Sequence, residues 1–104
     1  MIFIINSPIL TSYGEWEFKK ITIGKAREVL SHPFVSAIGH EGTAKFLSRL
    51  LGVEIPTNRV KIEMKPGDDA VVFRLLERLP EGKILSESEL RSFPFELGLL
   101  RRVK

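Results

Sequence analysis

Ser36-Ala37-Ile38-Gly39-His40-Glu41-Gly42-Thr43 leads into the best-formed helical pattern of the chain. From Thr43 onward, Ala44, Leu47, Leu50 and Leu51 recur at helical spacing, with Lys45, Ser48 and Arg49 between them. Gly52 stands where such a helix would stop. His40 therefore falls at or just before the first turn, after a flexible glycine. Free backbone N–H groups and the positive end of the helix dipole point outward at such a place, and an anion can be held there by backbone alone.

On the amino-terminal side, Ile2 to Ile5 is a short unbroken apolar run, the pattern of a strand covered on both faces. It is too short to span a bilayer and lacks the basic flank of a signal peptide, so it reads as a buried strand. Asn6-Ser7-Pro8 breaks it, and Thr11-Ser12-Tyr13-Gly14 is rich in turn formers. The stretch from Glu15 to Ile21 carries aromatic and β-branched residues and predicts a second strand with a bulge near Lys19. Thr22 is placed to cap a helix over Ile23 to Leu30, which Ser31-His32-Pro33 ends.

On the carboxy-terminal side, Arg59-Val60-Lys61-Ile62-Glu63-Met64 alternates polar with apolar and predicts a half-buried strand. Lys65-Pro66-Gly67-Asp68 has turn chemistry, and Ala70 to Leu76 returns as an apolar strand, so the two read as a hairpin. Leu79-Pro80-Glu81-Gly82 is a further turn. Ser86 and Glu89 form a capping box that opens a short helix to about Ser92. Phe93 to Val103 reads as a last strand, interrupted by Gly98. The expected architecture is α/β: a single domain over residues 1–104, with a mixed sheet of about five strands packed by about three helices.

A chain of 104 residues has no room for two independent cores. Hydrophobic content of 43% and charged content of 28% describe an ordinary folded chain rather than a disordered one. The formal charge of +3 permits a phosphate-bearing partner without demanding one, and duplex-DNA binders show a denser basic stripe. With no cysteine and only His32 and His40 as histidines, disulfide scaffolds, thiolate metal sites and multi-histidine zinc sites are excluded within one chain. No Gly-rich phosphate loop, G-x-S-x-G elbow or metal-spaced carboxylate cluster is present, so neither a metal nor a cofactor is expected.

The chemistry that remains is acid catalysis by one histidine. His40 beside a bound phosphate is a candidate proton donor, against the plain alternative that it serves its own backbone. Arg59 and Arg78 open and close the expected hairpin and could face one phosphate, guanidinium being the fork that suits phosphate oxygens; the alternative is a pair of exposed sheet-edge charges. Glu81 sits on a tight turn, where its carboxylate could orient an arginine or accept from a ribose hydroxyl or adenine amine. Asn6 ends the first strand, where ligands often meet α/β proteins, or is simply a turn former. Thr43 is a candidate cap. Trp16 and Phe18 read as core. RNA suits such a site because its own 2′-hydroxyl is the nucleophile; DNA lacks that group.

Ile38-Gly39-His40-Glu41-Gly42-Thr43, then Asn58-Arg59-Val60, then Arg78-Leu79-Pro80-Glu81-Gly82-Lys83-Ile84-Leu85, in this order and spacing, resemble the viral ring nucleases. These are the type III anti-CRISPR proteins of archaeal viruses and some bacteriophages. The resemblance implies a homodimer acting in the cytoplasm of the infected host cell. It would bind cyclic tetra-adenylate across its two-fold axis and cut it without metal to linear di-adenylate bearing a 2′,3′-cyclic phosphate. It implies His40 as general acid, Arg78 and Glu81 as its catalytic partners, and Arg59, Thr43, Gly39 and, more loosely, Asn6 as ligand contacts. Gly42 replaces a serine of some relatives, and Pro8 and Ile9 depart from their aromatic and serine, so adenine contacts in that loop are expected to differ. The competing readings are a non-enzymatic cyclic-nucleotide sponge, a DNA-binding viral regulator using Lys19, Lys20, Arg101 and Arg102, and a structural or protein-interaction module. Duplex nucleic acid and membranes are not expected partners.

Overall fold

In a computed structural model of the chain, residues 1–6, 12–76 and 94–104 are described. They form, in order, β1 (Ile2–Ile5), β2 (Trp16–Ile21), α1 (Ile23–Val29), β3 (Val35–Ser36), α2 (Glu41–Leu51), β4 (Asp69–Leu75) and β5 (Phe95–Arg102). The sheet order is β2-β5-β4-β1-β3. β1 runs parallel to both of its neighbours, with Ile2 opposite Asp69 on β4 and Phe3 opposite Val35 on β3. β5 is antiparallel to β4 and to β2. The result is a single α/β domain with a mixed five-stranded sheet.

The apolar run of β1 is explained by its two covers. Ile4 points into a core built with Ala44, Phe46, Leu47 and Leu51 of α2, Ala26 of α1, and Val71 and Phe73 of β4. Phe3 points the opposite way, toward Met64, Ala70, Val72 and Leu100. On the helical side Phe46, Phe73 and Phe95 meet with ring centroids 5.3 to 6.2 Å apart, in the tilted and edge-on geometries that ring quadrupoles favour. α2 stops at Gly52, whose φ of 64° lies in the left-handed region. Arg27 of α1 donates from Nε to the Leu51 carbonyl at 2.9 Å, so the end of one helix is closed by the other. Among the described residues, no helix is long and apolar enough to cross a membrane.

Four expectations change. Residues 59–64 do not form a strand, and the hairpin with β4 does not exist. Both edges of β4 are already taken, by β1 and β5. The segment lies instead against the face of the sheet, with Met64 buried and Ile62 half-buried over Phe3 and Val72. The sequence alternation was real, but it reports which side chains are covered and not which backbone is paired. Two-residue β3 takes the vacated fifth place. β2 pairs residue for residue with β5 from Trp16 to Ile21, without a bulge at Lys19. Gly98 does not interrupt β5: it pairs with Lys20 and Val72, and its missing side chain leaves the space that the Phe18 ring fills. The helix expected from the capping box lies outside the described residues.

The turn at 65–68 forms as expected. Asp68 returns its N–H to the Lys65 carbonyl at 2.9 Å and accepts the Lys65 N–H on Oδ2 at 2.8 Å. Pro66 and then Gly67, at φ 92°, occupy the central positions that a type II turn requires.

Candidate functional site

β1, β3 and β4 are parallel, so their carboxyl ends lie on one side of the sheet, the side where open α/β sheets receive ligands. Asn6 follows the end of β1 and is exposed. The chain leaving β3 stays close at first, with the Ala37 N–H on the Ile4 carbonyl at 2.9 Å. It then passes through Ile38 and Gly39 to His40, where α2 begins.

His40 is the N-cap of α2. Its backbone is extended (φ −115°, ψ 126°), its carbonyl accepts the first helical bond from Ala44 at 3.0 Å, and its side chain makes no capping hydrogen bond. The imidazole is exposed. It gives its own helix no capping bond and is not sunk in the core. Thr43 is not the cap: it sits within the first turn, buried on the inward side with Ala44. Gly42 is exposed, and a Cβ there would meet nothing within 4 Å among the described residues. Glu41 occupies the first helical position and pairs with Lys45 one turn on at 3.0 Å.

Arg59 reaches this point by a route the hairpin expectation missed. Its Nε donates to the Gly39 carbonyl at 2.9 Å, the peptide immediately before His40. The stem of Arg59 lies so near Gly39 that a Cβ there would come 3.0 Å from Arg59 Cγ, tighter than most side chains tolerate. Glycine at position 39 is thus the seat of an arginine. The guanidinium is exposed, and its two Nη groups have no partner among the described residues. Arg78 and Glu81 lie outside the described residues.

The residue that sequence reasoning passed over is Asn58. Its N–H donates to the Ile38 carbonyl and its Nδ2 to the Ser36 carbonyl, both at 2.8 Å. No periodicity marks it. Its sequence signal is its place in the Asn58-Arg59-Val60 motif, which was read for its arginine alone.

Of the basic residues that could serve a DNA binder, the two arginines are occupied. Arg101 forms a two-point pair with Asp69 at 2.7 and 3.1 Å, and the hydrogen bond and charge of Asp69 raise its pKa above the ordinary arginine value. Arg102 donates to the carbonyls of Met64, Tyr13 and Lys104 and lies 5.5 Å over the Trp16 ring. Trp16 is half-buried, as its core reading expected, whereas Phe18 is 48% exposed on β2.

Residues 2–97 match the model of the STIV B116-like family. The chain belongs to that family. Among B116-like relatives, protein 26 of a Sulfolobus islandicus filamentous virus is 40% identical over 109 residues, covering 99% of this chain and 92% of that protein. ORF117 of Acidianus two-tailed virus is 32% identical over all of this chain and 95% of its own. YddF of Bacillus subtilis is 35% identical, over 98% of this chain and 97% of its own. The solved structure of B116 from Sulfolobus turreted icosahedral virus superposes with a TM-score of 0.87, covering 97% of this chain and 98% of B116. Its sequence identity is 24%, so B116 shares the fold across nearly the whole chain while its sequence lies well away from this one. The relatives thus come from archaeal viruses and from a bacterium.

Proposed function

We propose that this B116-like protein is a metal-independent ring nuclease that opens cyclic tetra-adenylate into two linear di-adenylates ending in 2′,3′-cyclic phosphates. The observation that carries the reading is the meeting of His40 and Arg59. Nineteen positions apart in sequence, they share one peptide: Arg59 is bonded to the carbonyl of Gly39, and His40 follows it uncapped and exposed. A proton donor, a guanidinium fork and the free N–H groups of a helix start then converge where a phosphodiester can sit.

The chemistry balances without an added group. The ribose 2′-hydroxyl attacks the adjacent phosphorus in line and releases its proton to solvent. The O2′–P bond forms as the P–O5′ bond breaks, and His40 gives its proton to the departing O5′. Arg59 and the first N–H groups of α2 oppose the charge that builds on the phosphorane oxygens. Arg78 and Glu81 keep the roles that the family resemblance implies. A two-fold dimer presents the site twice, so a four-membered ring loses two opposite bonds and yields equal halves. The protomer has a radius of gyration of 13.4 Å, small for enclosing a tetranucleotide ring alone, which supports a homodimer around the ligand. Action in the cytoplasm of an infected cell, against type III CRISPR signalling, follows from the same reading and from the viral relatives.

The DNA-regulator reading loses ground because Arg101 and Arg102 spend their donors on Asp69 and on backbone carbonyls. The deciding experiment is incubation with cyclic tetra-adenylate in excess chelator, followed by chromatography. Di-adenylate cyclic phosphate is the expected product. An intact ring that stays bound means a sponge, and an intact ring that never binds ends the proposal.

A further inference from the structure

The approach to His40 is held from one side by the connector after α2. Ser36, buried at the end of β3, donates its Oγ to the Pro56 carbonyl at 2.6 Å and accepts the Ile38 N–H at 3.3 Å. Asn58 then donates twice, from Nδ2 to the Ser36 carbonyl and from its backbone to the Ile38 carbonyl. Arg59 continues the series from Nε to the Gly39 carbonyl. Residues 56–59 are thus fastened along residues 36–39, and the fastening ends at the peptide that carries His40.

We infer that Asn58 is a positioning residue that acts through Arg59. Its two bonds fix the connector so that the Arg59 stem crosses Gly39 and the guanidinium is held at His40. A primary amide is the side chain this place requires. The acceptor is a carbonyl, so the group facing it must donate, and a carboxylate of the same size would set oxygen against oxygen. An arginine otherwise free to sample many rotamers is ordered before any ligand arrives, and this lowers the cost of binding. The inference rests on the ring-nuclease reading for its catalytic consequence, but not for its geometry.

Two measurements separate these. The first is the Arg59 Nε–H resonance in an arginine-selective nitrogen–proton NMR spectrum of the free protein. It should lie away from the free-arginine position in the wild type and collapse onto it in Asn58→Asp. The second is cleavage of cyclic tetra-adenylate at saturating ligand, as a double-mutant cycle. Asn58→Asp should slow the wild-type background by about 10–100-fold, the scale of a small misplacement of a reacting group. It should cost less than about threefold when Arg59 is already alanine, because coupled residues are not additive. Asn58→Ala, which keeps the backbone bond to Ile38, is the second variant should the aspartate disturb folding. Equal losses in both backgrounds, or an Arg59 signal unmoved by either variant, would overturn the inference. If the wild type neither binds nor cuts the ring, the ring-nuclease reading fails alone, and the Asn58 assignment stands or falls on the resonance.

Discussion

The two helices among the described residues start differently: one is closed by its cap's side chain and the other is not. α1 begins behind Thr22, whose hydroxyl accepts the Lys25 N–H at 3.1 Å and satisfies one of the orphan donors of the first turn. α2 begins behind His40, which has the same extended backbone but gives the helix no side-chain bond. A longer helix, with a core-forming face of Ala44, Phe46, Leu47 and Leu51, can forgo its cap because packing holds it. α1 has seven residues with only Ala26 buried among them and has less packing to rely on. The uncapped start is where the proposed chemistry sits, in keeping with the general trade between stability and activity.

The sharpest way to break this comparison is to remove the imidazole. His40→Ala should slow ring cleavage by about 10²–10⁴-fold, the usual reach of a general acid, while cyclic tetra-adenylate still binds. Single-turnover chromatography beside calorimetric titration reads both, and near wild-type turnover would sink the assignment. Next in size is Arg59→Lys. It keeps the charge but loses the Nε–H held by Gly39 and the fork beyond it, a change of about 1.5–3 kcal/mol for a charge-assisted hydrogen bond. Cleavage should fall accordingly, and full activity in the lysine variant would show that charge alone suffices.

The caps themselves give the third test. Thr22→Ala should lower stability by about 1 kcal/mol and leave cleavage untouched, whereas His40→Asp should raise stability by about 0.5–2 kcal/mol and abolish cleavage. Thermal melts run beside activity assays check the opposite signs; a His40→Asp protein that melts lower would show that the start of α2 is already satisfied. The smallest effect belongs to Gly42→Ser. Among the described residues nothing crowds the position, so the serine should fit without strain and firm the first turn by about 0.5 kcal/mol, glycine being a poor helix former. A severalfold change in ligand affinity beyond that would place the hydroxyl against the ligand.

Local patterns were legible wherever the chain's neighbours in sequence also decided its structure. Thr22 as a cap, the stop at Gly52 and the Pro66-Gly67 turn each depend on a few adjacent residues, and each formed as read. Residues 59–64 misled because their alternation describes burial, and a segment laid across a sheet face is as one-sided as a strand within it. β3 could not be found from periodicity at all. With two residues it has no period, and it is a strand only because Phe3 and Ile4 pair with it.

The site divides the same way. His40 at the start of a helix is a local fact, set by the spacing of Ala44, Leu47 and Leu51 and by a glycine on each side of it, at positions 39 and 42. The bond from Arg59 to the peptide before that histidine is not local. The sequence offered a hairpin to bring Arg59 to its phosphate partners, and the fold supplied a different route, along the exit of β3. By itself the sequence determined the helix, the placement of its histidine and the absence of cysteine chemistry, because each depends on composition or on neighbours within a turn. Only the tertiary structure decided why position 39 is glycine and that Arg59 bonds the peptide before His40. Those depend on two segments twenty residues apart coming within hydrogen-bond distance, and that is settled by what the sheet leaves unpaired.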